Sequence, residues 1–429
     1  MRIVIINKSD STGGAAVVSR RLMEAMRNSG IDARMLVCEK LSDSPFVTLA
    51  ASAWAIKSRF LLERLKIFLA NGFNRSTLFK IDTGTEGLPL WKNPIVKNAD
   101  ALLINWVNQG MLSLKGFEKI LKLGKPTIVT MHDMWWMTGI CHHAGECSHF
   151  EKDCGNCPLL GKHGRPADFS FKVHREKQKI YNRKGIDRRL AFVAVSSWLK
   201  TRGEESSLLK NQHLEVIPNV FSPVSMRELP ENVIENKKGK IRILFGAARL
   251  DDPIKGLDTL REATLILKES YPEKASQMEL RFFGIAKNPD SLKGFGLPVF
   301  SLGIMRREEE LAKVYSGADI LVSASDYETL PGTLVEAQAY GCVPVSFNRG
   351  GQGDIITDDS KGILVDYDSD LQTRAENLAR GIAEAFDIVG NHERLENMKT
   401  EMEENVRFKF SPSLVAERYL RLIEWLRTL

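Results

Sequence analysis

The stretch SDYETLPGTLVEAQAYG, residues 325–341, decides how this chain folds. It follows the apolar run ADILVSA (318–324), which predicts a buried strand between polar residues. Pro331 suits the first position of a helix, and Gly341 suits the left-handed residue just past a helix end. The stretch therefore predicts a strand, a loop and a helix in immediate succession.

Two glutamates of this stretch stand eight positions apart. Glu328 is expected in the loop and Glu336 about one turn into the helix, where the free amides of Gly332, Thr333 and Leu334 form an anion site. Two carboxylates would repel a bound phosphate unless each had another partner. Because sugar and ribose hydroxyls are such partners, the pattern predicts a nucleotide-sugar pocket.

The rest of the chain repeats the alternation of strand-like and helix-like segments. This alternation predicts an α/β fold of two doubly wound parallel sheets with helices on both faces. The first set of strand candidates is 3–7, 34–38, 101–106, 127–131 and 192–195; the second is IRILFGA, ELRFFGI, ADILVSA, CVPVSF and GILVDY. Ligands of such sheets bind beyond the carboxyl ends of the strands.

The domain boundaries follow from a change in composition. We predict an N-terminal domain over 1–220, a polar linker over 221–240 and a C-terminal domain over 241–410. Residues 411–429 are predicted to form an amphipathic helix that begins at Ser411 and Pro412.

The segment 325–341 resembles the Glu-x7-Glu motif of retaining glycosyltransferases of the GT4 type. Its neighbours, LGIMRREEELAKVYSGAD upstream and GCVPVSFNRGGQGDII downstream, stand in the order that this family shows, and the resemblance covers nearly the whole chain. It implies a GT-B architecture of two Rossmann-like domains facing a cleft, with the terminal helix crossing back to the first domain. It also implies that Glu328 lies near the donor sugar and that Glu336 binds ribose.

Arg249 and Lys255, in GAARLDDPIKG, follow the first strand of the second half. Charged residues at a strand end are often simply solvated, but a cation pair can also neutralise a diphosphate leaving group. The family places an Arg and a Lys at these positions. The Asp-x-Asp candidates in VDYDSD (365–370) are interpreted as a surface turn, so no metal or other cofactor is expected in catalysis.

Two features of the first half are site candidates. Gly13 and Gly14 separate the first strand from a helix, where backbone can approach a ligand, and they do not match the G-x-G-x-x-G dinucleotide fingerprint. The resemblance implies a glycine loop that approaches donor phosphate or acceptor. His132 follows a buried strand and is either a core histidine or, as in the relatives, a residue that reaches the transferred sugar. Asp133 either orients His132 or caps the next segment.

Four cysteines fall in the loop 140–158 with spacing Cys-x5-Cys-x6-Cys-x2-Cys: Cys141, Cys147, Cys154 and Cys157. Three histidines are interleaved with them: His142, His143 and His149. In a cytoplasmic chain such clustering indicates a structural zinc ion rather than disulfides, with reduced thiols packing the loop as the alternative. This segment resembles a WcaC-like subset of the family that acts in surface polysaccharide synthesis.

The stretch WAIKSRFLLERLKIFL (54–69) predicts an amphipathic helix with basic residues off its apolar face. That face comprises Trp54, Leu61, Leu62, Leu65, Phe68 and Leu69. Core packing and an anionic membrane surface both explain this stripe. The charge of the chain is also uneven, since residues 1–220 hold 33 Lys and Arg against 20 Asp and Glu, a net of +13. Without a nucleic-acid-binding motif, this basic half does not indicate nucleic acid.

Together these patterns predict a metal-independent, retaining glycosyltransferase that moves a sugar from a nucleoside-diphosphate-sugar to a saccharide acceptor, which is expected to be lipid-linked. The opening MRIVIINKS carries no signal-peptide pattern, so cytoplasmic residence, peripheral on the inner membrane face, is expected. The alternatives are a GT-B epimerase or phosphorylase, and a non-catalytic protein that binds nucleotide sugars.

Overall fold

The computed structural model describes residues 1–183, 185, 189–221, 239–305 and 307–429. Contacts divide the chain into two compact units, Met1–Val220 with Pro412–Leu429, and Phe221–Ser411. The predicted linker over 221–240 lies almost entirely outside the described residues.

The first unit is built on a seven-stranded parallel sheet of order β3-β2-β1-β4-β5-β6-β7. Its strands are β1 Arg2–Ser9, β2 Asp32–Glu39, β3 Val47–Leu49, β4 Ala101–Ile104, β5 Thr127–Met131, β6 Leu190–Ala194 and β7 His213–Val216. The helices between them are α1 Gly14–Asn28, α2 Ala53–Ala70, α3 Pro94–Lys97, α4 Leu114–Leu121, α5 Phe169–Tyr181 and α6 Ser197–Glu205. The central strands β4, β5 and β6 are fully buried, as their apolar sequences predict.

The second unit is built on a six-stranded parallel sheet of order β10-β9-β8-β11-β12-β13. Its strands are β8 Ile241–Arg249, β9 Met278–Ile285, β10 Val299–Gly303, β11 Ile320–Ser323, β12 Val343–Phe347 and β13 Ile363–Val365. Its helices are α7 Leu257–Ser270, α8 Pro272–Ala275, α9 Glu308–Ser316, α10 Gly332–Ala339, α11 Leu371–Gly390 and α12 His392–Lys409.

The last helix, α13 (Pro412–Thr428), belongs to the first unit. Its apolar face packs into the core beside α1, and the Tyr419 hydroxyl lies 3.0 Å from Thr130 Oγ1 on β5. Leu422, Ile423 and Leu426 are buried on the same face, and burying each such side chain contributes about 1.5–3 kcal/mol. Helix α13, at the end of the chain, therefore stabilises the seven-stranded sheet whose first strand is β1.

Helix α2 is where the structure departs most from the sequence pattern. Four apolar residues of the predicted stripe, Leu61, Leu62, Leu65 and Leu69, are 43–54% exposed, and Trp54 is 81% exposed. The buried positions are instead Glu63, Arg64 and Ile67. Core packing of this stripe, one of the two interpretations of the sequence, is therefore wrong, and α2 presents apolar side chains to solvent.

The buried side of α2 is held by a polar network. Arg64 Nη2 lies 2.8 Å from Asp82 Oδ2, and Glu63 accepts hydrogen bonds from the backbone amides of Thr83, Gly84 and Glu86. Burial, together with the nearby Asp82, raises the pKa of Glu63 to about 7. Because these groups hydrogen-bond one another, the helix buries Glu63 and Arg64 and leaves its leucines exposed.

This raised pKa predicts a pH dependence of stability. The folded chain binds a proton at Glu63 that the unfolded chain releases above about pH 4.3, so stability from this group is present at low pH and is lost as pH rises through about 7. We expect wild type to lose on the order of 2 kcal/mol between pH 5 and pH 8 relative to Glu63→Gln, whose side chain does not titrate. Thermal unfolding across this range measures the difference. Glu204→Gln, at an exposed glutamate of α6, should track wild type; parallel curves for Glu63→Gln and wild type would contradict the assignment.

Candidate functional site

The loops after β8, β11 and β12 leave the same edge of the second sheet and meet around Glu328. Lys255 Nζ donates to Glu328 Oε1 at 2.5 Å, and Ser325 Oγ donates to the same oxygen at 3.0 Å. The Lys255 and Glu328 side chains are 29% and 24% exposed. The structure therefore brings two predicted site residues together as a half-buried ion pair with access to solvent.

The loop after β12 contacts Glu328 through the backbone of two glycines. Gly350 forms a backbone bridge with Glu328, and the amide of Gly351 donates to the Glu328 carbonyl at 2.7 Å. Gly350 has φ +88°, and a Cβ there would lie 2.4 Å from the Glu328 carbonyl oxygen. Only glycine fits this position, so the loop after β12 fixes the backbone that carries Glu328.

Glu336 is held separately, inside α10. Its Oε2 accepts a hydrogen bond from the Tyr315 hydroxyl at 2.8 Å. The ring of Tyr315 is buried and stacks on Tyr340, with ring centroids 5.8 Å apart. Burial and the Glu336 carboxylate raise the pKa of Tyr315 well above its ordinary value, so the phenol stays a hydrogen-bond donor. One carboxylate oxygen of Glu336 is therefore committed to Tyr315.

The N-terminus of α10 needs two corrections to the predicted geometry. Pro331 is the cap residue, with ψ +108°, and the helix begins at Gly332. The amide of Leu334 is not free, because it donates to the Pro331 carbonyl at 3.1 Å in a tightened first turn. Of the three amides predicted to form an anion site, this leaves those of Gly332 and Thr333. The helix ends as expected, with Gly341 at φ +71°.

Arg249 and the late aspartates hydrogen-bond groups other than Lys255 and Glu328. Arg249 Nε donates to Asp251 Oδ1 at 3.0 Å, and its side chain is 44% exposed. The Oδ2 of Asp370 accepts from the amide of Thr373 and so caps α11, while Asp368 Oδ1 accepts from the amide of Asp370. The VDYDSD segment is therefore a strand-to-helix turn.

A pocket of 820 Å³ opens at the carboxyl edge of the first sheet. Gly13 and Gly14 line it, and a Cβ at either would meet nothing within 4 Å. Gly13 has φ +88°, which favours glycine. The other lining residues include Lys8, Thr12, Ile56, Lys57, Phe60, Trp106, Gln109, His132, Asp133 and His143. The Gly13–Gly14 loop and His132, which the sequence suggested as two separate site candidates, therefore line the same pocket.

His132 stands at the end of β5, and burial lowers the pKa of its imidazole to about 4 against the opposing charge of Asp133. The ring is therefore neutral at pH 7. Asp133 Oδ1 accepts from the amide of Trp135, the first residue of the next helical turn, whose cap residue is Met134. Asp133 Oδ2 binds His142 Nδ1 at 2.7 Å and Trp106 Nε1 at 2.8 Å. Burial alone would raise the pKa of Asp133, but the charge and hydrogen bond of His142, with His143 and the Trp135 amide, lower it to about 2.

The cysteine loop belongs to the same unit as this pocket. Cys141, Cys147, Cys154 and Cys157 are all free thiols, and burial raises the pKa of Cys141 and Cys154 to about 12. The interleaved histidines have other partners, His142 with Asp133 and His149 with the Gly155 carbonyl. Within the described ranges, no three histidine, cysteine or acidic side chains form a ready-made metal site.

Sequence reasoning missed Lys8 in the pocket of the first unit and Tyr315 beside Glu336 in the second unit. Lys8 is the second-last residue of β1 and donates to the Gln109 carbonyl at 2.9 Å. A lysine at the carboxyl end of a first strand was a usable signal. No sequence signal indicated Tyr315, because only the fold brings it to Glu336, which lies 21 positions away in the sequence.

Comparisons with known proteins match part of the second unit to a family model. Residues 241–387 match the family model described as "Glycosyl transferases group 1". Sulfoquinovosyl transferase SQD2 of Arabidopsis thaliana is 30% identical over 103 residues, which are 24% of this chain and 20% of that protein. The chain thus matches far less than two thirds of this curated relative.

Solved structures match over the full length. WaaG, described as a glycosyltransferase involved in lipopolysaccharide biosynthesis, is 13% identical with a TM-score of 0.62 and 99% coverage of both chains. The Anabaena protein HepE, solved in complex with UDP and glucose, is 14% identical with a TM-score of 0.60 and 100% coverage of both chains. At such identities the similarity shows the fold, and it confirms the predicted α/β class of two Rossmann-like GT-B domains.

Proposed function

We propose that this chain, whose second unit matches the group 1 glycosyltransferases, transfers a sugar from a nucleoside-diphosphate-sugar to a saccharide acceptor. The observation that carries the proposal is the Lys255–Glu328 ion pair at the carboxyl edge of a sheet that the family match covers. Within that family we assign the chain to the retaining GT4 type and its WcaC-like subset, on the resemblance of its motifs.

The donor roles follow from the chemistry of each group. The Lys255 ammonium would neutralise the diphosphate together with the Gly332 and Thr333 amides at the start of α10, and Arg249 would join them by exchanging Asp251 for phosphate. The second oxygen of Glu336 would accept ribose hydroxyls, and Glu328 would accept hydroxyls of the sugar. That HepE was solved with UDP and glucose supports this class of donor.

We propose front-face attack with retention, in which the leaving phosphate takes the acceptor proton. No protein base is then required, and a neutral His132 suits hydrogen bonding to the sugar better than proton donation. Lysine charge replaces a catalytic metal in this scheme. Activity should therefore persist without added divalent cations, and the anomeric configuration of the product, read by NMR, tests retention.

For the acceptor we propose a lipid-linked saccharide held at the first unit. Ile56 and Phe60 of α2 line the 820 Å³ pocket, while Trp54, Leu61 and Leu65 of the same helix point to solvent. One helix would thus contact the acceptor on one side and a membrane surface on the other. No helix in the described part of the chain is long and apolar enough to span a bilayer.

A peripheral position on the cytoplasmic face of a membrane would fit a role in surface polysaccharide synthesis. The fold similarity to WaaG, a protein involved in lipopolysaccharide biosynthesis, supports this role. The apolar residues should dominate binding, because Arg59 and Lys66 already share Glu86, at 2.8 and 2.5 Å, and Lys57 adds the remaining basic charge on this part of α2.

The triple change Trp54→Ser, Leu61→Ser and Leu65→Ser is therefore expected to weaken binding to anionic liposomes at least about tenfold, since each removes apolar area from the lipid contact. Liposome co-sedimentation measures it. Phe408→Ser, which removes a side chain 61% exposed on α12, is the matched control and should bind like wild type. Equal binding by the triple variant would contradict membrane docking through α2.

The proposal is tested by screening nucleotide sugars for thermal stabilisation and then assaying transfer to saccharide acceptors, since ligand binding raises apparent stability. Transfer that requires an acceptor supports it. Conversion of the nucleotide sugar without acceptor would indicate an epimerase, and pyridoxal phosphate absorbance a phosphorylase. Binding without turnover would indicate a non-catalytic protein.

A further inference from the structure

Lys8 is a partly buried lysine to which the proposed reaction gives no role. It lines the 820 Å³ pocket of the first unit, and its Nζ donates to the Gln109 carbonyl at 2.9 Å and lies 5.7 Å from the centre of the Phe60 ring. In the part of the chain that the structure describes, no carboxylate forms an ion pair with Lys8. Because an ammonium has three N–H donors and Gln109 takes one, the others are left for a ligand in the pocket.

The ammonium is held in place by the polar network on the buried side of α2. Gln109, whose carbonyl accepts from Lys8, has φ +56°, a left-handed conformation that residues other than glycine seldom adopt. Its amide donates to Asp82 Oδ2 at 2.7 Å, and the same oxygen binds Arg64 Nη2 at 2.8 Å. Backbone in such conformations is concentrated at binding sites. Lys8 is therefore presented to the pocket in a fixed position, which reduces the entropy lost when a ligand binds.

The charged groups that the pocket leaves for a ligand are mainly positive. Both carboxylates of the described lining already accept hydrogen bonds, Asp133 from Trp106 Nε1 at 2.8 Å and Glu39 from the Thr12 hydroxyl at 2.6 Å. Lys57 of α2 lines the same pocket, is exposed and forms no ion pair within the described ranges. Two lysines without an anionic partner thus line a pocket whose acids are engaged.

On the basis of the proposed function, which places the acceptor in this pocket, we propose that the acceptor carries an anionic group, a carboxylate or a phosphate, and that Lys8 binds it with the help of Lys57. Burial lowers the pKa of Lys8, and an anion beside the ammonium would offset this loss of hydration. The donor diphosphate is assigned to Lys255 in the second unit. Lys8 therefore selects the acceptor and not the donor.

Equilibrium binding of matched probes tests the proposal without a transfer assay. Octyl glucuronide differs from octyl glucoside by a carboxylate, and geranyl diphosphate differs from geraniol by a diphosphate. We expect wild type to bind the acidic member of at least one pair about 10- to 100-fold more tightly, the effect of hydrogen bonds to a charged group. Preference for the glucuronide indicates an acidic sugar, and preference for the diphosphate indicates the phosphate of a lipid-linked acceptor. No preference in either pair would overturn the proposal.

Lysine variants then locate the acidic preference. Lys8→Met removes the charge and should abolish the preference, while Lys8→Arg keeps the charge and should retain part of it. Lys57→Met should lower it by at most about fivefold, because an exposed charge contributes little. Lys115→Met, which removes an exposed lysine from α4 of the same unit, is the matched control and should bind like wild type. An undiminished preference in Lys8→Met would overturn the role of Lys8.

Donor binding separates this inference from the proposed function. Affinity for the nucleoside diphosphate should be unchanged in Lys8→Met, and the acidic preference should survive Lys255→Met. Weaker nucleotide binding in Lys8→Met would overturn the inference, because Lys8 would then bind the donor. A preference that depends on Lys8 in a chain without transferase activity would support the anion site and contradict the proposed function. Transfer to neutral acceptors without an acidic preference would support the function and overturn the inference.

Discussion

Replacing Lys255 with methionine is expected to lower kcat/KM for the nucleotide sugar by about 10²- to 10³-fold, the usual effect of removing one preorganised charge from a transition state. The ammonium lies 2.5 Å from Glu328 Oε1, at the edge where β8, β11 and β12 end. A departing diphosphate gains charge as the glycosidic bond breaks, so the interaction strengthens in the transition state and should act mainly on kcat. Steady-state kinetics with the donor found by screening measures both parameters.

The control for this prediction lies on the next helix. Lys268→Met removes an exposed lysine from α7 and should leave kcat/KM unchanged. Lys255→Met should also unfold close to the wild-type temperature, because a partly exposed ion pair contributes at most about 1 kcal/mol. Wild-type kinetics in Lys255→Met would contradict the site. A loss in Lys255→Met that Glu328→Gln reverses would show that the lysine only holds Glu328.

The buried parts of the fold were predictable because burial leaves a pattern in the sequence. Strands such as β5 and β12 are buried on both faces, and their sequences are therefore largely apolar. The strands that the prediction missed, β3, β7 and β10, are all edge strands with partly exposed residues. Edge strands pair on one side only, so their sequences resemble loops.

Helix α2 shows why a correct periodicity can still mislead. The apolar stripe around Leu61 and Leu65 is real, yet the face that docks contains Glu63 and Arg64. Those charges can be buried because Asp82 and the amides of residues 83, 84 and 86 bind them, and these partners lie 18 to 23 positions away in the sequence. Sequence periodicity finds the two faces of a helix, but only tertiary partners decide which one is buried.

The candidate site was predictable wherever a residue follows a strand. Glu328, Lys255, His132 and the Gly13–Gly14 pair all follow parallel strands and therefore fall at sheet edges. Partners that come from other elements were not predictable. Tyr315 beside Glu336 and Gln109 beside Lys8 are contacts between elements or loops far apart in sequence. No local spacing encodes them.

Glu336→Ala is expected to raise the Kd for the nucleoside diphosphate about 10- to 100-fold, because hydrogen bonds to a charged group contribute about 1.5–3 kcal/mol. Its Oε1 is the oxygen proposed to accept ribose hydroxyls, since Tyr315 already donates to Oε2 at 2.8 Å. Ribose lies away from the bond that breaks, so the loss should appear in Kd and KM with kcat nearly unchanged. Calorimetric titration with the diphosphate gives the Kd directly.

Tyr315→Phe tests whether the Tyr315 hydroxyl positions Glu336 for donor binding. It keeps the ring that stacks on Tyr340 and removes only the hydroxyl that fixes Glu336, so donor binding should weaken in the same direction but by less. Glu269→Ala, at an exposed position of α7, should bind like wild type. If Glu336→Ala bound the diphosphate normally while Lys255→Met did not, the phosphate site would stand and the ribose assignment would be wrong. If both bound normally, the donor could not occupy this edge of the sheet.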